Sequence, residues 1–321
     1  MVDGGVWLNG PGDGLLFGEC VGTNQNFIVA SGRIPFAVYV YEAYSPYNLV
    51  ARLPFHGRVF AVVISDDNTI AVSYPDSSSY WLAIYNYDGS TSWHMAKRFK
   101  LENIGKSLAL FGNTLAVGVP FAENASGLVR VYNLVNGEWV ESQTIRENGA
   151  KHFGWSIAMH GQHLAANSMF AVIFTYNFDA HKNIWVSNGK LTPPKVKKSS
   201  ISMHKDILVA TVNDNLDLPG VCGVAYKLSK ISRGTTIDNK KINNDNNNNN
   251  DDDDNNDKND NNNISDVWKE FATLTTKNDP LKSRYQEHHA VSVDGNEIYI
   301  TRLDESSGGV GKVFQYDLSN L

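Results

Sequence analysis

The sequence predicts an all-β fold, a six-bladed β-propeller of four-stranded antiparallel blades. Two observations carry that prediction. A tyrosine recurs in one local setting, at Tyr41, Tyr85, Tyr132, Tyr176, Tyr226 and Tyr316. The gaps are 44, 47, 44, 50 and 90 residues, the last stretched by an Asn/Asp tract. A period in the forties built from β-rich units marks a propeller. Around each tyrosine, short apolar runs alternate with polar turns, so every unit supplies a small sheet. Such a sheet cannot bury both faces alone and is covered only by its neighbours.

Each unit opens on a strand in which small and apolar residues alternate. The copies are Phe17 to Val21, Phe60 to Ile64, Gly105 to Leu110, Phe153 to Met159, Ser199 to Met203 and His289 to Val293. Alternation of period two suits a strand with two distinct faces. The small positions fit where strands of all blades converge on an axis. A tight turn follows, at Asp67-Asn68, Gly112-Asn113, Gly161-Gln162, Lys205-Asp206 and Gly295-Asn296. These residue types tolerate positive φ and close hairpins.

A second strand comes next, as in Ile70-Ala71-Val72 and Leu115-Ala116-Val117, and the third carries the recurrent tyrosine. The fourth opens on an aromatic and reaches an apolar residue six positions later: Tyr47/Leu53, Trp93/Phe99, Trp139/Ile145, Trp185/Leu191 and Trp268/Leu274. These aromatics read as packing between blades rather than as ligand platforms. The sixth unit reaches Leu321 before a fourth strand can form, while Trp7 stands where a fourth-strand Trp belongs. An N-terminal strand is therefore expected to complete the last blade, closing the ring of a single 1–321 domain and removing two open sheet edges.

Charged residues make up 19% of the chain and hydrophobic ones 42%, enough for a sizeable core. Residues 238–266 hold nine Asp and three Lys, a net of −6. The rest carries 25 basic residues (28 less 3) and 25 acidic ones (34 less 9). A neutral body is not the electrostatic footprint of a nucleic-acid binder. The tract has too few apolar side chains to offset the entropy of ordering, so a disordered insertion is expected at 230–264, within the fifth blade. Closing a longer loop costs only logarithmically, which lets a blade tolerate it. It reads as a simple-sequence expansion or as an acidic tether for a basic partner.

Cys20 and Cys222 fall in different units and read as buried thiols rather than as a disulfide scaffold. The first residues lack a basic, then apolar, leader pattern, and no run approaches the roughly 20 apolar residues of a membrane span. The expectation is a monomer in the cytoplasm, elsewhere inside a cell or in a virion, with the sequon Asn124-Ala125-Ser126 unused.

The run from Ile104 to Leu191 resembles the FG-GAP repeat, the blade of integrin-α-type propellers. Phe153-Gly154 and Phe17-Gly18 match its FG element, and Gly118-Val119-Pro120 is close to its GAP element. Gly127 to Tyr132 and Trp139 continue the pattern. The resemblance implies the propeller fold and, in many such blades, a calcium loop of closely spaced carboxylates. The nearest stretch here, Asp214 to Gly220, departs from that spacing, so no calcium site, other metal or cofactor is expected.

No phosphate loop, dinucleotide fingerprint, nucleophile elbow or metalloprotease helix appears, so no enzyme is expected. The loops joining second to third strands, together with the segments between blades, share one face opposite the Asn/Asp tract. Asp76, Tyr80, Glu123, Asp214, Asp217, Asp304 and Glu305 lie on those loops and give the face an acidic character. His56, His152 and His288 lie on the inter-blade segments, where a cluster near the channel mouth is possible. Varied loops on a rigid scaffold are where propellers bind. The leading expectation is a non-enzymatic scaffold that holds a protein partner on this face. A glycan-binding propeller is the alternative, and an enzyme acting at the channel mouth comes third.

Overall fold

In the computed structural model, the period-two runs are strands gathered into antiparallel meanders. The structure describes residues 17–44, 46–90, 92–169, 172–193, 199–211, 221–232, 264–275, 291–294, 297–304 and 310–317. The first sheet holds β1 (Phe17–Thr23), β2 (Phe27–Arg33), β3 (Phe36–Glu42) and β4 (Leu49–Pro54). The second holds β5 (Ala61–Ile64), β6 (Ile70–Asp76), β7 (Ser79–Tyr87) and β8 (Trp93–Leu101). The third holds β9 (Ser107–Phe111), β10 (Thr114–Val119), β11 (Leu128–Val135) and β12 (Glu138–Ile145). The fourth holds β13 (Ile157–His160), β14 (His163–Asn167), β15 (Ile173–Asp179) and β16 (Ile184–Leu191). The fifth holds β17 (Ile201–His204), β18 (Ile207–Thr211), β19 (Val221–Ser232) and β20 (Ile264–Thr275). The sixth has three described strands, β21 (Val291–Asp294), β22 (Glu297–Asp304) and β23 (Val310–Asp317). Trp7 and the expected closing strand lie outside the described residues.

The first strands β1, β5, β9, β13, β17 and β21 pack one against the next and form the inner wall. Second strands are sandwiched by neighbouring sheets on both faces, so β18 is buried throughout and β10 nearly so. That is why they read as continuous apolar runs instead of alternating ones.

Five of the six recurrent tyrosines mark a β-bulge. The register between third and fourth strands shifts at Val40/Tyr41, Ile84/Tyr85, Val131/Tyr132, Thr175/Tyr176 and Ala225/Tyr226. A bulge bends its strand and increases the local twist. The tyrosine ring is buried at each of these bulges. Tyr132 joins a cluster with Ala71 and Ile84 of the preceding sheet, its ring centroid 4.5 Å from that of Phe99. Tyr85 packs with Val38 and Val40, Tyr176 with Val129 and Val131, and Tyr226 with Ala158 and Ile173. The inter-blade packing role is thus what four of the repeats show. Trp93, Trp139, Trp185 and Trp268 are buried in the fourth strands, but Tyr47 precedes β4 at φ 60° and is only half-buried.

Small polar side chains join consecutive sheets near the inner wall. The Cys20 thiol lies 3.2 Å from the Phe60 carbonyl, and Ser73 Oγ donates to the Gly105 carbonyl. Ser107 Oγ donates to the Gly154 carbonyl at 3.0 Å. Asn167, fully buried, donates to the Ser199 carbonyl at 2.6 Å and to its hydroxyl at 2.8 Å. Ser156 Oγ accepts from the Ile201 amide at 3.1 Å, and Ser202 Oγ from the Val293 amide at 3.3 Å. The alternating small positions of the first strands therefore leave room for side chain-to-backbone bonds between sheets.

The stretch predicted as the fourth unit's opening strand divides in two. Phe153 and Gly154 precede β13; Phe153, fully buried, forms a lone parallel bridge with Gly127. Gly154 sits at φ 82°, where an added methyl would stand 2.7 Å from the Leu128 carbonyl. A methyl on Gly118 would strike the Gly154 carbonyl in turn. Backbone meets backbone here, which is the physical demand behind both glycines. The fifth sheet also corrects one boundary. Its outer hairpin stays paired out to Ser232↔Ile264, so Lys230, Ile231, Ser232 and Ile264 belong to strands rather than to the insertion. Residues 233–263 lie outside the described residues.

Two outcomes follow for stability. Asn167→Ala strips the Ser199 carbonyl and the Ser156 amide of their partners and should cost about 1–3 kcal/mol by urea unfolding. Burial lifts Tyr85 to about 12, and lifts Tyr132, Tyr176 and Tyr226 further, the Glu147 contact adding to the rise at Tyr176. Unfolded tyrosine releases its proton near pH ~10, whereas the folded chain holds it. The stability these residues contribute is complete below pH ~10 and lost as pH rises through the folded values. Melting temperature should fall steadily above pH ~10.

Candidate functional site

Antiparallel meanders put the loops between second and third strands on the same side as the segments joining sheets. The structure arranges the described candidates there in two groups. In the second sheet, Asp76 closes the β6–β7 hairpin opposite Ser79, with Ser77 at φ 56°. Its carboxylate accepts a 2.6 Å hydrogen bond from Arg98 Nη2. That guanidinium lies 3.8 Å from the centre of the Trp81 ring and 5.5 Å from that of Tyr74. The Arg98 hydrogen bond is the main reason the Asp76 carboxyl is held below its usual range, and exposed His56 adds to the effect. Tyr80 stacks obliquely on Phe60 at 6.2 Å. His56, Asp76 and Tyr80 are thus neighbours on this part of the face.

The second group straddles the third and fourth sheets. Ala122–Ala125 winds into one short turn in which Glu123, Asn124 and Ala125 take φ of 50°, 56° and 66°. The Ala125 carbonyl accepts from the His152 amide at 2.8 Å, and the Ser126 carbonyl from the Phe153 amide at 2.9 Å. Glu123 accepts from Arg146 Nε at 2.8 Å, and that hydrogen bond lowers its pKa. Three rings meet beside the turn: Phe121 is 5.2 Å from His152 and 6.1 Å from Trp155, and His152 is 6.2 Å from Trp155. The Lys106 ammonium stands 4.4 Å above the Trp155 ring. Phe121 remains 36% exposed, the most open ring of the three. His152 Nδ1 is buried without a hydrogen-bond partner among the described residues.

Glu123 and His152 are therefore brought together, whereas Phe121, Trp155, Lys106 and Arg146 were not singled out from the sequence. A signal for two of them existed. Gly105-Lys106-Ser107 and Gly154-Trp155-Ser156 are the same Gly-x-Ser element one unit apart, so their central residues share a register around the ring.

The described part of the face is not an acidic patch. Asp76 is paired with Arg98 and Glu123 with Arg146, while Arg130 bridges Glu102 and Glu141 nearby. His56 and His152 stand beside different loops, and among the described residues no group of three or more His, Cys, Asp or Glu is placed to hold a metal. Asp304 is the last residue of β22, paired with Val310, and its side chain lies outside the described residues. Asp214, Asp217, Glu305 and His288 also lie outside them.

No family model matches the chain, and no curated protein matches it. Among solved structures it is similar to Sqt1 of Saccharomyces cerevisiae, a WD40 β-propeller, with a TM-score of 0.50 and 10% identity. That match covers 93% of this chain and 82% of the other. A second likeness, to U3-55K, has a TM-score of 0.46 and 13% identity and covers 60% of each chain. This chain thus spans three-fifths of the U3-55K structure. The likeness to Sqt1 and the ordered meanders define the class: the chain is a β-propeller. Among the described residues no helix is long and apolar enough to cross a membrane.

The two arginine pairs can be checked by NMR titration. Arg98→Met should raise the midpoint of Asp76 toward its ordinary value of about 3.9, and Arg146→Met that of Glu123 toward about 4.3.

Proposed function

We propose that the chain is a six-bladed propeller of FG-GAP type, closed by its N-terminal strand, that acts as a non-enzymatic scaffold holding a protein partner on the loop face. The blade count rests on six successive sheets, the last lacking a described fourth strand. The FG-GAP reading draws support from the interlocked glycines Gly118 and Gly154 and from buried Phe153. The function rests chiefly on one observation, the Phe121–His152–Trp155 cluster with Lys106 above it. Aromatic rings and cations held on a stiff loop are the composition of a binding hot spot. Backbone bonds from His152 and Phe153 pin that loop, so little conformational entropy remains to be lost on docking. A cation already covers one face of Trp81 and of Trp155, which leaves less open indole for stacking a sugar and favours a protein over a glycan.

Affinity capture from native lysate tests the reading, using the intact chain, a Phe121→Ser/Trp155→Ser variant and a chain lacking residues 238–263. A stoichiometric partner kept by the deletion and lost by the double variant is the expected result. A partner lost with the tract instead would transfer the function to the insertion. No partner, together with a melting temperature raised by soluble saccharides, would favour the glycan reading.

A further inference from the structure

The opposite mouth of the channel carries a different constellation. His160 is the last residue of β13 and His204 the last of β17, so they hold equivalent positions on adjacent inner strands. Their ring centres are 4.9 Å apart at an interplanar angle of 51°, and both are half-buried. Phe111, the last residue of β9, lies 4.6 Å from His160, ring centre to ring centre, at an interplanar angle of 47°. His163 is turned away from the pair, with its Nδ1 2.9 Å from Asn177 Oδ1 and its ring 6.0 Å from Trp268.

We propose that His160 and His204 chelate one borderline divalent cation, of the Cu2+, Ni2+ or Zn2+ class, at the hairpin-side mouth of the propeller. A metal bound to imidazole sits about 2.0–2.1 Å from the nitrogen. That places it about 3.2 Å from the ring centre, so two imidazoles sharing one ion at roughly 100° stand about 5 Å apart. The observed separation meets this spacing. A metal ligand has to be neutral imidazole. Burial, with His204, Lys205 and His163 adding to it, depresses the His160 pKa. Of the charged groups acting on His160, Asp66 of the β5–β6 turn favours a cation, while Lys205 of the β17–β18 turn opposes one. With no third described side chain in ligating reach, water completes the shell, and imidazole preference selects Cu2+, Ni2+ and Zn2+ over Mg2+ and Ca2+. An ion held in this way would tie the fourth blade to the fifth, on the face away from the proposed docking surface.

The test is calorimetric titration of the untagged full chain with Zn2+, Ni2+ and Ca2+, and electron paramagnetic resonance with Cu2+. Zn2+ and Ni2+ are expected to bind with one-to-one stoichiometry and Ca2+ not at all. Either His160→Gln or His204→Gln should weaken binding at least tenfold, while His163→Gln should leave it within twofold. Cu2+ coupled to two nitrogens in the wild type should couple to one in each single variant. Should His160→Gln fail to fold, His204→Gln decides alone. Unchanged affinity in His204→Gln, or loss of binding on replacing His288 and His289 instead, overturns the proposal.

Discussion

Each blade is tied to the next by a small polar side chain that reaches a main-chain group, and the rest of the structure depends on these ties. Cys20, Ser73, Ser107, Asn167 with Ser156, and Ser202 make the bond at five successive junctions. Water release on its own is nearly indifferent to the register of one sheet on another. A buried carbonyl with a single available donor is not indifferent, since leaving it unpaired costs about 1–3 kcal/mol. In four of the blades the wide end is set differently, by a tyrosine on a bulge that fills the gap to the preceding sheet.

The proposed docking face is a by-product of the same bonds. Gly105 and Gly154 have their carbonyls held from the preceding blade, and the next residue in each case is Lys106 or Trp155. Fixing the carbonyl fixes the peptide plane, and with it the direction of the side chain that follows. The ammonium above the indole is therefore set from within, by hydroxyls that never reach the surface cluster. Arg98 and Arg146 finish the face by neutralising the two loop carboxylates.

Most of the fold was legible because each feature depends on local chemistry. Turn residues closed hairpins where Gly112-Asn113 and Gly161-Gln162 stand, and the spacing of tyrosines gave the unit. Tyr47 misled, since an aromatic before a strand looks the same in sequence whether or not it joins the ladder. The pairing of the two described loop carboxylates was hidden for another reason. Asp76 meets Arg98 and Glu123 meets Arg146 across 22 and 23 residues, and strand faces must be known before those cations can be aimed. His160 and His204 were indistinct among scattered histidines until their shared position at a strand end became visible.

All five ties run one way around the ring. The side chain always belongs to the earlier blade and the main chain to the later one. As the chain leaves the ribosome, each finished blade already displays the group that the next must find. Among the described residues, each later blade finds its inner-wall side-chain partners on the blade before it. A break late in the chain leaves earlier blades with unmet side chains that water can satisfy. A break early strips later blades of partners for their main chain. The ring thus has a direction that its near-symmetry conceals.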